Sequence, residues 1–201
     1  MSILEDILYF FTAPLSKQGK PDYLTNPMNT LELRERLVAI ARKDVGQIET
    51  SRNHGPAIGK FWTATTYPEG YKNREPYCAA AGCYWLRQWL LDPEVLHALK
   101  LTPLTAEEWR CKSPSAYGWI DWARGKGITV LPDSPDVVLH TGDIVIYDFS
   151  HWGVVFDDYK DRIKTIEANT GPPTGSQRDG DGIYEKDRPR EIARCFIRLL
   201  A

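Results

Sequence analysis

The chain has 201 residues, a formal net charge of −2, 26% charged residues and 42% hydrophobic residues. This length suits one domain that buries a proper core. Since the charge is nearly balanced and no basic patch dominates, there is no electrostatic case for binding nucleic acid or an anionic membrane surface. Seven Trp, ten Tyr and fourteen Pro predict ordered loops and aromatic packing rather than disorder.

The first 27 residues are expected to form an apolar segment and linker ahead of a domain at residues 28–201. Residues 3–11 carry apolar side chains at helical spacing, and residues 17–27 are rich in turn-forming residues. The apolar run is too short to span a bilayer, and no positive region or small-residue cleavage site marks a secretory signal. We therefore expect a protein made in the cytoplasm without a signal peptide and without a membrane partner.

Helical patterns fill the chain from residue 31 to residue 126. Asn29 or Thr30 can cap the first helix, and Gly46 closes it. Apolar residues extend most of the way round the helix at 78–91, which predicts that this helix is central and buried. The predicted helices cover 31–45, 56–64, 78–91, 93–100, a short helix opened by a capping box at Thr105–Glu108, and 113–126.

The character of the sequence changes to strands after Gly127. The segments that follow are rich in β-branched and aromatic residues and are separated by polar turns. Helices followed by an antiparallel sheet predict an α+β fold. The predicted strands are 128–131, 143–149, 152–157, 163–169 and 194–200.

Cys78 has the sequence context of an activated nucleophile. It follows the turn Glu75-Pro76-Tyr77 and begins an alanine-rich helix, whose unpaired N–H groups and dipole favour the thiolate. Its own N–H, together with another donor, could form an oxyanion hole.

The other three cysteines lack this context. Cys83 lies about 140° round the same helix, Cys195 is in an apolar strand, and Cys111 is in a loop without an obvious partner. No Cys-x-x-Cys pair or zinc pattern occurs, and without a secretory signal we expect reduced thiols. We expect no metal and no cofactor.

His151 is the histidine best placed to serve as a base. It lies where one predicted strand turns into the next, so its side chain can leave the core and face a cleft. His97 lies among core-like helix residues, and His140 and His54 lie in turns, where most histidines are solvated.

The hairpin that follows His151 predicts its neighbours. If 152–157 pairs with 163–169 across a tight turn near Lys160, His151 lies opposite residues 167–170, with Glu167 and Asn169 on one face. A carboxylate or amide beside the histidine fixes its tautomer and stabilises the imidazolium in a thiol–imidazole pair. The alternative interpretation is a polar edge strand that faces water.

These motifs resemble, in order and spacing, those of the CHAP family, the cysteine, histidine-dependent amidohydrolases/peptidases. The resemblance covers about residues 30–200 and implies a papain-like fold whose N-terminal helices pack on the C-terminal antiparallel sheet. It also implies cleavage of amide bonds in the peptide part of bacterial peptidoglycan. The matching segments are Pro76–Ala80, Gly142–Val145, His151–Val155 and Thr165–Thr170.

The resemblance assigns roles residue by residue. Cys78 would be the nucleophile, His151 the general base and then acid, Glu167 the orienting third member, and Asn169 a further polar support near the histidine. Tyr77 stands where the family often has Trp, and Ala168 stands where it often has Gly. We expect Tyr77 and Trp152, the neighbours of Cys78 and His151, to contact the substrate.

Peptidoglycan stem peptides are the partner that the resemblance implies. No wall-binding domain is visible, so an immunity or delivery protein is a further candidate partner of an expected monomer. The enzyme would act on the cell wall or periplasm after release or secretion, as a phage lysin or a delivered effector.

Two alternatives stay open, a cysteine protease or deamidase with a protein substrate and an inactive CHAP-like binding module. Asp179 and Asp181 do not follow the EF-hand spacing, which favours an acidic turn over calcium.

Overall fold

The computed structural model describes residues 29–173 and 179–200. The predicted apolar segment and linker at 1–27 therefore lie outside the described residues. In the described part of the chain, helices precede an antiparallel sheet, which confirms the α+β class. The helices are α1 (Thr30–Arg42), α2 (Pro56–Trp62), α3 (Cys78–Trp89), α4 (Pro93–Ala98), α5 (Pro103–Trp109) and α6 (Ala116–Gly125).

The described sheet has six strands in the order β1-β6-β2-β3-β4-β5, and every neighbouring pair is antiparallel. Short 3-10 turns lie at Pro68–Gly70 and Arg190–Ile192. The strands are β1 (Thr129–Pro132), β2 (Ile144–Tyr147), β3 (His151–Asp158), β4 (Arg162–Thr170), β5 (Gly182–Pro189) and β6 (Ala193–Arg198).

Strand β5 was not predicted from the sequence. Buried and exposed residues alternate along its second half, as in a half-buried strand. The buried side chains Lys186 and Arg188 are basic, however, and the exposed side chains Glu185 and Asp187 are acidic. An apolar alternation, which is the usual signal of a half-buried strand, is therefore missing.

The helix caps confirm one expectation and correct another. Asn29 caps α1, where its Oδ1 accepts a hydrogen bond from the N–H of Leu31 at 3.1 Å. The predicted capping box at Thr105–Glu108 is wrong, because Thr102 is the N-cap of α5 and Pro103 its first residue. Thr102 Oγ1 accepts from Thr105 N at 3.2 Å, and Thr105 Oγ1 accepts from Thr102 N at 2.8 Å.

The sheet lies between two apolar layers. Alternate residues such as Ile144, Ile146 and Val154 pack under the helices in the main core. The residues between them, including Val145 and Val155, form a smaller cluster on the other face. None of the helices in the described residues has the length and apolarity needed to cross a membrane.

Helix α3 is the central buried helix, as predicted, and packs closely on β3. The close approach requires glycine at position 82, because a Cβ there would lie 2.6 Å from Cε2 of Trp152. Trp152 is the second residue of β3, so this contact brings the first turn of α3 close to the start of that strand. Cys78 and His151 occupy those two places.

Candidate active site

Cys78 is the first residue of α3, and its side chain is 7% exposed. No side chain caps this helix, and the first helical hydrogen bond runs from Ala81 N to Tyr77 O at 2.9 Å. The N–H of Cys78 therefore has no acceptor within the helix. The thiol thus lies beside backbone donors that can bind an anion.

Two asparagines hold the loop that leads to Cys78. Asn53 Nδ2 donates to Arg74 O at 2.8 Å, and the N–H of Tyr77 donates to Asn169 Oδ1 at 2.7 Å. Asn53 and Asn169 are both buried and both have positive φ, at 52° and 58°. Because asparagine tolerates the left-handed region better than most residues, both can hold these turned conformations.

The ring of His151 is fixed by a stack of aromatic side chains. It lies 5.7 Å from the ring of Phe149 and 5.9 Å from that of Tyr147, with interplanar angles of 18° and 27°. Only 1% of His151 is exposed. Its Nε2 lies 3.1 Å from Oε2 of Glu167, which leaves Nδ1 for the thiol of Cys78.

The predicted hairpin register is confirmed. Val154 pairs with Ile166 and Gly153 with Glu167. A Cβ at position 153 would lie 3.0 Å from Cγ of Glu167, so the missing side chain gives this carboxylate room to reach His151.

The carboxylate of Glu167 is fully buried and accepts hydrogen bonds from several side chains. Oε1 accepts from Tyr147 Oη at 2.8 Å, from Thr165 Oγ1 at 2.6 Å and from Arg188 Nε at 3.0 Å. Arg188 Nη2 donates to Oε2, the same oxygen that contacts His151. Burial alone would raise the pKa of Glu167, but its bonds to His151 and Arg188 hold that pKa well below its usual range.

The electrostatics of the site favour the imidazolium form of His151. Burial lowers the pKa of this histidine, but the hydrogen bond and charge of Cys78, and then those of Glu167, raise it to about 9. A protonated ring between two anions can hold a thiolate in place and later donate a proton.

A cleft of about 290 Å³ opens beside Cys78 and His151. Two carboxylates, of Glu75 and Asp179, are among its lining residues. Asp179 also borders a neighbouring groove of about 590 Å³, so the two cavities share this lining residue. The rest of the cleft lining comes from Trp62, Tyr67, Pro76, Pro114, Ser115, Ala116 and Ser150.

The two side chains that were expected to contact the substrate are buried instead. Tyr77 is 0% exposed and stacks on Phe61 with ring centroids 6.0 Å apart. Trp152 is 1% exposed and packs between Trp85 at 5.7 Å and Trp119 at 5.2 Å. Both aromatic residues thus belong to the core on which the site is built, and neither lines the cleft.

Asn169 makes a contact that was not predicted from the sequence. Regular alternation would place it with Glu167 beside the histidine, but the register of β4 against β5 shifts between Ala168 and Thr170. With φ at 58°, Asn169 directs its amide oxygen to the N–H of Tyr77 and so supports the nucleophile's loop. Its Nδ2 is buried without a hydrogen-bond partner among the described residues.

Sequence reasoning missed Arg188, Tyr147 and Thr165, which all bind Glu167. A usable signal for Arg188 was present, since Glu185 to Arg188 alternates acidic and basic residues with the period of a strand. Such a pattern predicts a strand whose acidic and basic side chains lie on opposite faces.

Among residues 29–173 and 179–200, no group of three His, Cys, Asp or Glu side chains is arranged to hold a metal ion. All four cysteines are free and buried. Comparisons of the chain with protein-family models, curated proteins and solved structures found no match.

Proposed function

We propose that the protein is a cysteine amidase or endopeptidase that cleaves amide bonds in the peptide part of bacterial peptidoglycan, on a papain-like fold of the CHAP type. One observation carries the proposal: the buried residues Cys78 and His151 line the same cleft, and Nε2 of His151 lies 3.1 Å from the carboxylate of Glu167, which is also buried. A nucleophile, a base and a group that orients the base are the parts that acyl transfer needs.

The reaction follows from the position of each group. The thiolate of Cys78 attacks the amide carbonyl, and the backbone N–H of Cys78 stabilises the oxyanion. The imidazolium of His151 then protonates the leaving amine, which leaves an acyl group on the sulfur. Neutral His151 next takes a proton from water, which attacks the thioester and releases the new carboxylic acid. Glu167 holds the ring and stabilises its positive form in both halves of the cycle.

The substrate class rests on two supports. The order and spacing of the motifs around Cys78, His151 and Glu167 resemble those of peptidoglycan hydrolases. In addition, the cleft and the larger groove share Asp179 as a lining residue, and two adjoining cavities suit an extended peptide better than a compact small molecule. The enzyme would meet stem peptides after release or secretion, with a delivery or immunity protein as a further partner.

Purified sacculi test the proposal. We expect the wild type to clear a sacculus suspension and release peptides, while Cys78→Ala does neither. Cys195→Ala is the matched control, because it removes another buried thiol from a strand that contributes no residue to the cleft. Mass spectrometry of the products identifies the bond that is cut.

Four outcomes would contradict the proposal. Sugar fragments without free peptides would mean glycan cleavage, and equal clearing by Cys78→Ala would exclude this thiol as the nucleophile. Binding to sacculi without product release would support a binding module. Cleavage or deamidation of protein substrates alone would move the same chemistry to another substrate class.

A further inference from the structure

Arg188 binds both oxygens of the Glu167 carboxylate, one of which also contacts His151. It is 2% exposed and donates from Nε to Oε1 at 3.0 Å and from Nη2 to Oε2 of Glu167. Two parallel donors from a planar guanidinium fix both the position and the rotation of a carboxylate. Arg188 Nη2 also donates to Thr170 Oγ1 at 3.3 Å, so the guanidinium is bonded to the last residue of β4 as well.

One aromatic pair contacts both the guanidinium and the imidazole. The guanidinium carbon of Arg188 lies 5.6 Å from the ring centre of Tyr147 and 6.0 Å from that of Phe149. The ring of His151 stacks on the same two side chains. The side chains of Arg188 and His151 are therefore positioned relative to each other by the same two rings as well as by Glu167.

The charges of the buried site balance only when Arg188 is counted. In the reactive form, Cys78 and Glu167 are negative, and His151 and Arg188 are positive. Without the guanidinium, the remaining three groups would carry a net charge of −1 at positions that are at most 7% exposed. Because an uncompensated buried charge is costly, such a site would take up a proton. Protonation of Cys78 abolishes the thiolate–imidazolium pair, and protonation of Glu167 removes an anion that stabilises the imidazolium.

Lys186 is another buried cation near the carboxylate of Glu167, but its ammonium group binds other acceptors. Lys186 is 5% exposed, and its Nζ donates to the carbonyl oxygens of Gly171 and Pro172, both at 2.9 Å. Burial and the charge of Arg188 lower the pKa of Lys186. The other titratable groups that contact Glu167 are Tyr147 from β2 and His151 from β3. Among the described residues, Arg188 and the imidazolium of His151 are thus the cations bonded directly to this carboxylate.

We propose that Arg188 is a positioning residue of the active site, which keeps Glu167 ionised and thereby allows Cys78 and His151 to exist as a thiolate–imidazolium pair. The proposal rests on the proposed function only in taking Cys78 as the reactive thiol. It does not depend on the substrate.

The test measures the rate at which iodoacetamide alkylates Cys78 as a function of pH, with peptide mapping to separate this thiol from the other three. For Arg188→Met, we expect the acid limb of the profile to move to higher pH by about one unit or more, because the site gains a proton. Arg188→Lys restores the positive charge but not the fork, so its acid limb returns towards that of the wild type. Sacculus digestion by the same variants should follow the same order.

Arg162→Met is the matched control. It removes a half-exposed arginine of β4 that is bonded to Asp187 on β5, so it perturbs the same strand pair without touching Glu167. Its profile should match that of the wild type. If Arg188→Met does not fold, Arg188→Gln replaces it, since glutamine retains a donor without the charge.

The proposal would be overturned if folded Arg188→Met or Arg188→Gln showed a lower maximum alkylation rate but the same pH for the acid limb. Arg188 would then have a purely structural role. An unchanged profile would overturn it as well. If the acid limb shifts in Arg188→Met but the wild type leaves sacculi intact, the proposed function alone is contradicted, because alkylation needs no substrate.

Discussion

Replacing Glu167 with glutamine separates what this residue contributes to stability from what it contributes to catalysis. Glutamine has nearly the same size, but one carboxylate oxygen becomes an NH2 group. Arg188 donates to both oxygens. Whichever way the amide is turned, its NH2 group therefore faces an N–H of Arg188, and the guanidinium remains buried without a counter-charge.

The expected loss of stability is large. Removing one partner of a buried ion pair costs about 3–5 kcal/mol, whereas a typical domain is stable by about 5–15 kcal/mol. We expect kcat to fall by about 100- to 10,000-fold, because His151 loses the anion that orients it and stabilises its charge.

A double variant separates the two losses. Glu167→Gln combined with Arg188→Met removes both buried charges, so most of the lost stability should return while kcat remains low. Urea unfolding measures stability, and release of peptides from sacculi measures activity. The reasoning fails if Glu167→Gln retains activity within about tenfold of the wild type, or if the double variant is no more stable than Glu167→Gln.

Three further predictions concern the groups around this ion pair. Because the pKa of His151 is raised to about 9, its imidazolium is present below that pH and lost above it, so kcat/KM should fall as the pH rises through about 9. Asn169→Ala removes the acceptor of a buried N–H and should lower the unfolding free energy by about 1–3 kcal/mol, together with kcat, whereas Asn169→Asp, which retains an oxygen, should lose less. Gly82→Ala places a Cβ 2.6 Å from Trp152 and should destabilise the fold by about 1–3 kcal/mol in urea unfolding. Gly125→Ala, with nothing within 4 Å of the added Cβ, should not destabilise it.

The hairpin was predictable because two local rules agree. A tight turn near Lys160 fixes the register, and strand alternation then fixes which side chains meet, so Glu167 could be assigned to His151 before the fold was known. The start of α3 was equally readable, since a proline-bearing turn precedes an alanine-rich run. The bond from the N–H of Tyr77 to Asn169 was not predicted, because the register shift in β4 depends on the pairing with β5.

Residues that act through long-range packing were not predictable in the same way. Trp152 lies beside the base in sequence, which suggested a cleft wall, but the requirement to fill space against Gly82 and Trp119 buries it. Arg188 lies in a strand without an apolar alternation, and its partner lies 21 positions earlier in the chain. Its role depends on a buried anion that only the folded sheet places next to it.

The most direct test of the central claim is the intact mass of the protein after rapid acid quenching during turnover of peptidoglycan fragments. We expect a wild-type population that carries the mass of a stem-peptide acyl group, with peptide mapping that locates the adduct on Cys78. Cys195→Ala should show the same adduct, and Cys78→Ala should show none. Turnover without an adduct, or an adduct on another residue, would contradict the account of Cys78 as the acylated nucleophile.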